Sequence, residues 1–161
     1  MSKTQCYIGA PNGVVLCVDS LDIDQGILKG RFWHGYSMKP VEITNAAGLL
    51  MEMEKLFDKI RFPYPTTTLR TFGDEHAAVS RFNEMERVMA DEVMLQKHGD
   101  LGTFIIRVQH RQNSSWQGRI TWMEEDKTQN FRSIWEMIKL IESALDTVDP
   151  EDMPEEVNWQ D

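Results

Sequence analysis

The chain has 161 residues, about one domain's worth, and is 41% hydrophobic and 27% charged with a mean hydropathy of −0.44. That composition excludes a collagen-like chain and a wholly disordered one, and no apolar run approaches the roughly 18 residues of a membrane span. The formal net charge of −9 argues against a general nucleic-acid binder, which needs a basic footprint.

The first residues, Met1 to Cys6, are polar and no long apolar run follows them. No signal peptide is expected, and the expected location is cytoplasmic. Cys6 and Cys17 are then expected as reduced, partly buried thiols. His34, His76, His98 and His110 are scattered, so neither a metal nor another cofactor is expected.

Val-Val-Leu-Cys-Val at 14–18 reads as a strand, residues 19–26 as an acidic turn, and 27–34 as a second strand. Gly35, Ser37 and Pro40 mark a turn before a short strand at 41–43. Thr44 or Asn45 is placed to cap a helix. Its stripe is Ala46, Leu49, Leu50, Met53, Leu56, Phe57 and Ile60, at helical spacing. Pro63 and Pro65 end it, because proline cannot continue a helix. Residues 66–72 are β-prone.

A helical insert is expected over about 74–97, with Ala78, Phe82, Met85, Met89 and Val93 on one stripe. Residues 103–111 then alternate cleanly, 113–115 form a turn, and 116–123 return. A turn at 124–126 leads to a strand at 128–131. Ser133 caps a last helix, with Ile134, Met137, Ile138, Ile141, Ala144 and Leu145 on its apolar side. Residues 146–161 hold seven acids and no Lys or Arg, and read as a flexible acidic tail.

Two stretches, about 14–60 and 102–145, follow the same order of strand, strand, short strand, helix. Shifted by 88 positions, Gly30-Arg31 falls on Gly118-Arg119, Lys39 on Lys127 and Glu54 on Glu142. Upstream, Leu16 and Val18 fall on Phe104 and Ile106. The expected fold is therefore α+β: one domain over 1–145, an antiparallel sheet built from two β-β-β-α units. Its helices are expected on one face, with a connecting helix between the units.

Strand parity predicts what the other face carries. Phe104, Ile106, Val108, Trp116, Ile120 and Trp122 should meet the helices. The opposite parity collects Arg107, Gln109, Arg111, Gln117, Arg119, Thr121, Thr128 and Asn130, with no acid among them. Asn113 and Ser115 lie at the turn beside them. The matching face of the first unit, with Asp19, Lys29, Arg31 and Trp33, is less uniformly basic. Arginine's planar fork suits carboxylate or phosphate. The candidate binding residues are thus Arg107, Gln109, Arg111, Asn113, Ser115, Gln117 and Arg119.

Residues 102–118, with Phe131-Arg132-Ser133, resemble a group of small bacterial proteins from Gram-positive anaerobes to which no activity attaches. That resemblance implies a bacterial cytoplasmic setting and no function. The same stretch is similar to the ligand motif of PilZ domains. Arg107-x-x-x-Arg111 matches its Arg-x-x-x-Arg part, and Asn113-x-Ser115-x-x-Gly118 its Asp/Asn-x-Ser-x-x-Gly part. The resemblance implies binding of a cyclic dinucleotide. The departure is spacing: Gln112 alone separates the two parts, so one hairpin carries both.

No glycine-rich phosphate loop and no Gly-x-Ser-x-Gly elbow is present, and acid pairs such as Asp22/Asp24 and Glu124/Glu125 fall in turns. The reading is a non-enzymatic interaction or adaptor protein whose partner is another protein or an anionic ligand, with self-association a further mode. The alternative is a sensor of a phosphate-bearing small molecule. With the seven tail acids set aside, −9 becomes −2 for residues 1–145. The body is near neutral, and its arginine face is a local feature.

Overall fold

An unbroken apolar run such as Val-Val-Leu-Cys-Val has no polar parity, so a strand built from it must be covered on both sides. The computed structural model describes residue 8 and residues 10–22, 24–63, 72, 86–112 and 115–146. There the run opens strand β1 (Val14–Asp22), followed by β2 (Ile27–Trp33), β3 (Val41–Ile43) and helix α1 (Ala46–Ile60). A short helix α2 (Asp91–Met94) precedes β4 (Gly102–Gln112), β5 (Ser115–Trp122), β6 (Lys127–Phe131) and α3 (Ile134–Asp146). The strands form one antiparallel sheet of order β3-β2-β1-β4-β5-β6. The protein is thus of mixed α+β class, and none of the described helices is long and apolar enough to cross a membrane.

β1 runs past its expected end. A bulge between Val18 and Ser20 resets the pairing, so that Ser20, Leu21 and Asp22 still meet Lys29, Leu28 and Ile27. Leu21 then packs against the main core, and Gly26 at φ 72 turns the chain. The two long helices start where capping side chains allow. Asn45 Oδ1 accepts the Gly48 N–H at 2.7 Å, and Ser133 Oγ accepts the Glu136 N–H at 3.1 Å. α1 ends on Arg61 in the left-handed region, just before Phe62-Pro63.

The main core lies between one sheet face and helices α1 and α3. Val14, Leu16, Val18, Phe32, Phe104, Ile106, Val108, Trp116 and Ile120 meet Leu49, Met53, Phe57, Met137, Ile141 and Leu145 there. Burying each of these side chains is worth roughly 1.5–3 kcal/mol over leaving it in water.

The second face departs from expectation. It is not free of helix: Val15, Cys17 and Ile105 pack beneath Ile8, Met89 and Met94. α2 therefore sits opposite α1 and α3, and β1 and β4 are covered on both sides. The long insert helix expected to include Met89 and Val93 is, among the described residues, only α2. The amides of Val88 and Met89 both bond to the Gly35 carbonyl, at 2.7 and 3.1 Å, which ties that non-helical stretch to the turn after β2. Met94 is buried in place of Val93, which is exposed. Cys6, the strand expected at 66–72 apart from Phe72, residues 73–85 and the tail from 147 lie outside the described residues. α3 takes Asp146, the first residue allotted to the tail.

Candidate functional site

Beyond the patch covered by α2, the second face continues across β4, β5 and β6. These three strands contain no Asp or Glu. Arg107 pairs with Arg119, and Arg119 pairs on its other side with Asn130. Like charges directly opposite on neighbouring strands repel. Arg119 and Asn130 are exposed, and Arg107 is half-buried with its Nη1 donating to the Ile8 carbonyl at 3.4 Å. Thr121 and Thr128 extend the face and share a hydroxyl–hydroxyl bond of 2.9 Å. At its other end His110, exposed, pairs with Gln117.

A bulge decides which residues belong to this face. The register runs Val108↔Gly118 and then His110↔Gln117, so Gln109 is the extra residue and the parity of β4 flips beyond it. The flip carries Arg111 to the helix side, contrary to the expectation that it joins Arg107. Arg111 pairs with Trp116 and its side chain is only 5% exposed. Its Nε donates to the Pro63 carbonyl at 2.7 Å, its Nη1 meets Asp58 at 3.0 Å, and its guanidinium lies 5.6 Å from the Phe57 ring centre. Arg111 is thus a strut between the hairpin and the end of α1, on the opposite face from Arg107.

Of the other expected site residues, Arg107, Gln117 and Arg119 share the open face, and Gln109 is exposed in the bulge. Ser115 closes the hairpin opposite Gln112. Asn113 lies outside the described residues. Arg107 and Arg111 of the PilZ-like motif occupy opposite faces of the sheet. His110 is the residue that sequence parity missed, since nothing in the alternation marks the bulge.

The electrostatics differ across the sheet. On β2, Arg31 lies between Cys17 of β1 and Glu42 of β3, and its Nη1 contacts Asp19 at 2.6 Å. Asp19 also accepts the Asp100 N–H at 3.0 Å. The Arg31 contact first, and that amide second, hold the Asp19 carboxyl below its usual range. Arg31 is thereby neutralised. Arg119 has amides at the corresponding neighbours, Asn130 in register and Gln109 in the bulge, and makes no ion pair among the described residues.

Burial pushes the Cys17 thiol up to about 11, which keeps it protonated near neutral pH and a poor nucleophile. Among the described residues no three His, Cys, Asp or Glu side chains group closely enough to hold a metal ion. No protein-family model matches the chain, and no curated protein or solved structure matches it either.

Proposed function

We propose that this is a non-enzymatic interaction protein that docks an acidic, extended segment of a protein partner on the open face of β4, β5 and β6. The observation that carries the reading is the Arg107–Arg119 cross-strand pair on three strands without a carboxylate. A partner carboxylate bridging the two guanidiniums relieves their repulsion and gains charge-assisted hydrogen bonds. His110, Gln109, Gln117 and Asn130 surround the pair with donors of matching chemistry. A row of side chains crossing three strands suits a polypeptide laid over the sheet better than a compact ligand.

The arrangement also supports descent of the two halves from one β-β-β-α unit. Each has a glycine opposite a valine, Val18↔Gly30 and Val108↔Gly118, and each has its bulge immediately after that pair. Each helix begins at a side-chain cap bonded to the third helical amide. One correspondence shifts. Leu16 faces Phe32 and Ile106 faces Ile120, so Leu16 matches Ile106 rather than Phe104. The reason is hairpin length: residues 23–26 join β1 to β2, whereas 113–114 join β4 to β5. In that correspondence Asp19 matches Gln109 and Glu42 matches Asn130. The acids that neutralise one arginine are amides around the other, as expected if the second face was released to bind a partner.

The test is calorimetric titration with deca-glutamate and deca-lysine at low and at high salt, on the full chain and on a chain ended after Asp146. A docked acidic tail would mask the face, so both chains are needed. Binding of deca-glutamate alone, weakened by salt and at least about tenfold by Arg107→Gln with Arg119→Gln, is the expected result. Arg31→Gln should leave it unchanged. Equal affinity in the double variant, or no binding by either chain, refutes the proposal.

A further inference from the structure

On the opposite side of the sheet, between α3 and the edge strand β6, lies a cleft of about 370 Å³. Its walls are Phe104, Ile120, Trp122, Leu140 and Ala144, and its polar groups are Lys127, Gln129 and Ser143. No acid lines it. The volume falls in the range that holds small organic ligands, and so does the mix of an apolar body with a few polar groups.

The other half of the sheet shows why the space is open. At the same distance from its cap as Ala144 in α3, helix α1 carries Leu56, buried in the core. Where β5 turns Ile120 toward the helices, β2 turns Phe32. Where β6 has Gln129 opposite Ile120, β3 has Val41 opposite Phe32, packed on the core. Smaller or polar side chains at these three places leave the cleft unfilled between α3 and β6.

The polar groups say what the occupant carries. Lys127 makes no ion pair among the described residues. The Ser143 hydroxyl spends its proton on the Leu140 carbonyl at 3.1 Å, so it offers only lone pairs. The donors left are the Lys127 ammonium and the Gln129 amide, side by side on one strand, and the Trp122 indole N–H, which carries no charge. We propose that this cleft binds a small apolar carboxylate, its hydrocarbon body against Phe104, Ile120, Trp122 and Leu140 and its carboxylate at Lys127 and Gln129. An ammonium head would meet Lys127 as a like charge, and a neutral head would lose the ion pair.

Decanoate, decanol and decyltrimethylammonium, each below its aggregation concentration, are titrated calorimetrically into the full chain. The expected result is one site with decanoate bound at least about tenfold more tightly than decanol, and the ammonium weakest. Ala144→Leu, which gives α3 the residue α1 has there, should abolish decanoate binding at an unchanged or raised melting temperature. Ser143→Phe blocks the mouth from an exposed position and serves if Ala144→Leu fails to fold. Lys127→Glu should reverse the order of decanoate and the ammonium. Arg107→Gln with Arg119→Gln, on the other face, should leave decanoate binding as in the wild type. Decanoate bound equally by a folded cleft-filling variant, an unreversed order in Lys127→Glu, or binding lost in the arginine variant each overturns the assignment.

Discussion

His34 is a buried histidine whose role is fixed by one bond. Its Nδ1 accepts the Tyr36 N–H at 3.1 Å, which requires a neutral ring with the proton on Nε2. Burial first, and the charge of Lys59 second, pull its pKa below the ordinary 6.5. The folded state therefore binds a proton less readily than the unfolded chain. The stability this contributes is fully present above about pH 6.5 and is lost as pH falls from there toward the depressed folded value. The urea midpoint should accordingly drop between about pH 7.5 and 5.5. His34→Asn keeps an acceptor for Tyr36 and removes the titration, so its midpoint should change less over the same interval. An unchanged slope in that variant would assign the pH dependence elsewhere. Arg111 teaches a related lesson. Its charge suggested a surface, yet its guanidinium is buried against Pro63, Asp58 and the Phe57 ring. Residue type alone does not tell a binding arginine from a bracing one.

The same contrast decides what could be foreseen of each element. Helices α1 and α3 were legible because apolar side chains at a 3.6-residue period must share a face, and because Asn45 and Ser133 are side chains that accept from a free amide. The alternation of β4 was legible as far as Val108. Beyond it the bulge flips parity, and a bulge is a backbone event with no signature in the side-chain pattern. The helix expected through Met89 is interrupted at 86–90, because the Gly35 carbonyl that holds Val88 and Met89 comes from a distant part of the chain. The double-sided burial of β1 had a signal that strand parity alone overlooks, namely five consecutive apolar residues. The glycines beside the bulges were visible only as a repeated Gly-Arg pair. In the fold they mark close backbone approach: a Cβ on Gly118 would run into the Arg107 carbonyl oxygen and sit 2.9 Å from the Val108 Cα. Both obstacles are backbone and cannot rotate aside. Gly118→Ala should therefore destabilise by about 1–3 kcal/mol, the usual cost of overpacking. Gly48→Ala is the control, because there the neighbour is the Asn45 side chain at 3.3 Å. Denaturant midpoints that are equal for the two variants would refute the close approach.

The two halves of the molecule meet at a short seam, and the seam determines how the whole unfolds. β1 and β4 pair over Val14–Val18 and Gly102–Ile106, with Leu16 and Phe104 opposite each other at the centre. That seam is covered above by α1 and α3 and below by Ile8, Met89 and Met94. Separating the halves would expose the apolar residues of β1 and β4 on both faces and open the main core, which is one cluster spanning both. Neither half has a private core to fall back on. The chain should thus unfold in a single transition, with the amides of β1 and β4 exchanging only through global opening. Leu16→Ala on one side of the seam and Phe104→Ala on the other should each cost about 3–5 kcal/mol. At about 2–4 °C per kcal/mol for a chain of this size, either variant should lower the melting temperature by roughly 6–20 °C. The decisive reading is its form. If the seam couples the halves, Phe104→Ala lowers the melting of the α1 side as much as that of the α3 side, and exchange accelerates in β2 and β5 alike. If exchange in Phe104→Ala accelerates in β5 and β6 while β1 and β2 keep wild-type protection, the halves are independent and the coupling argument fails.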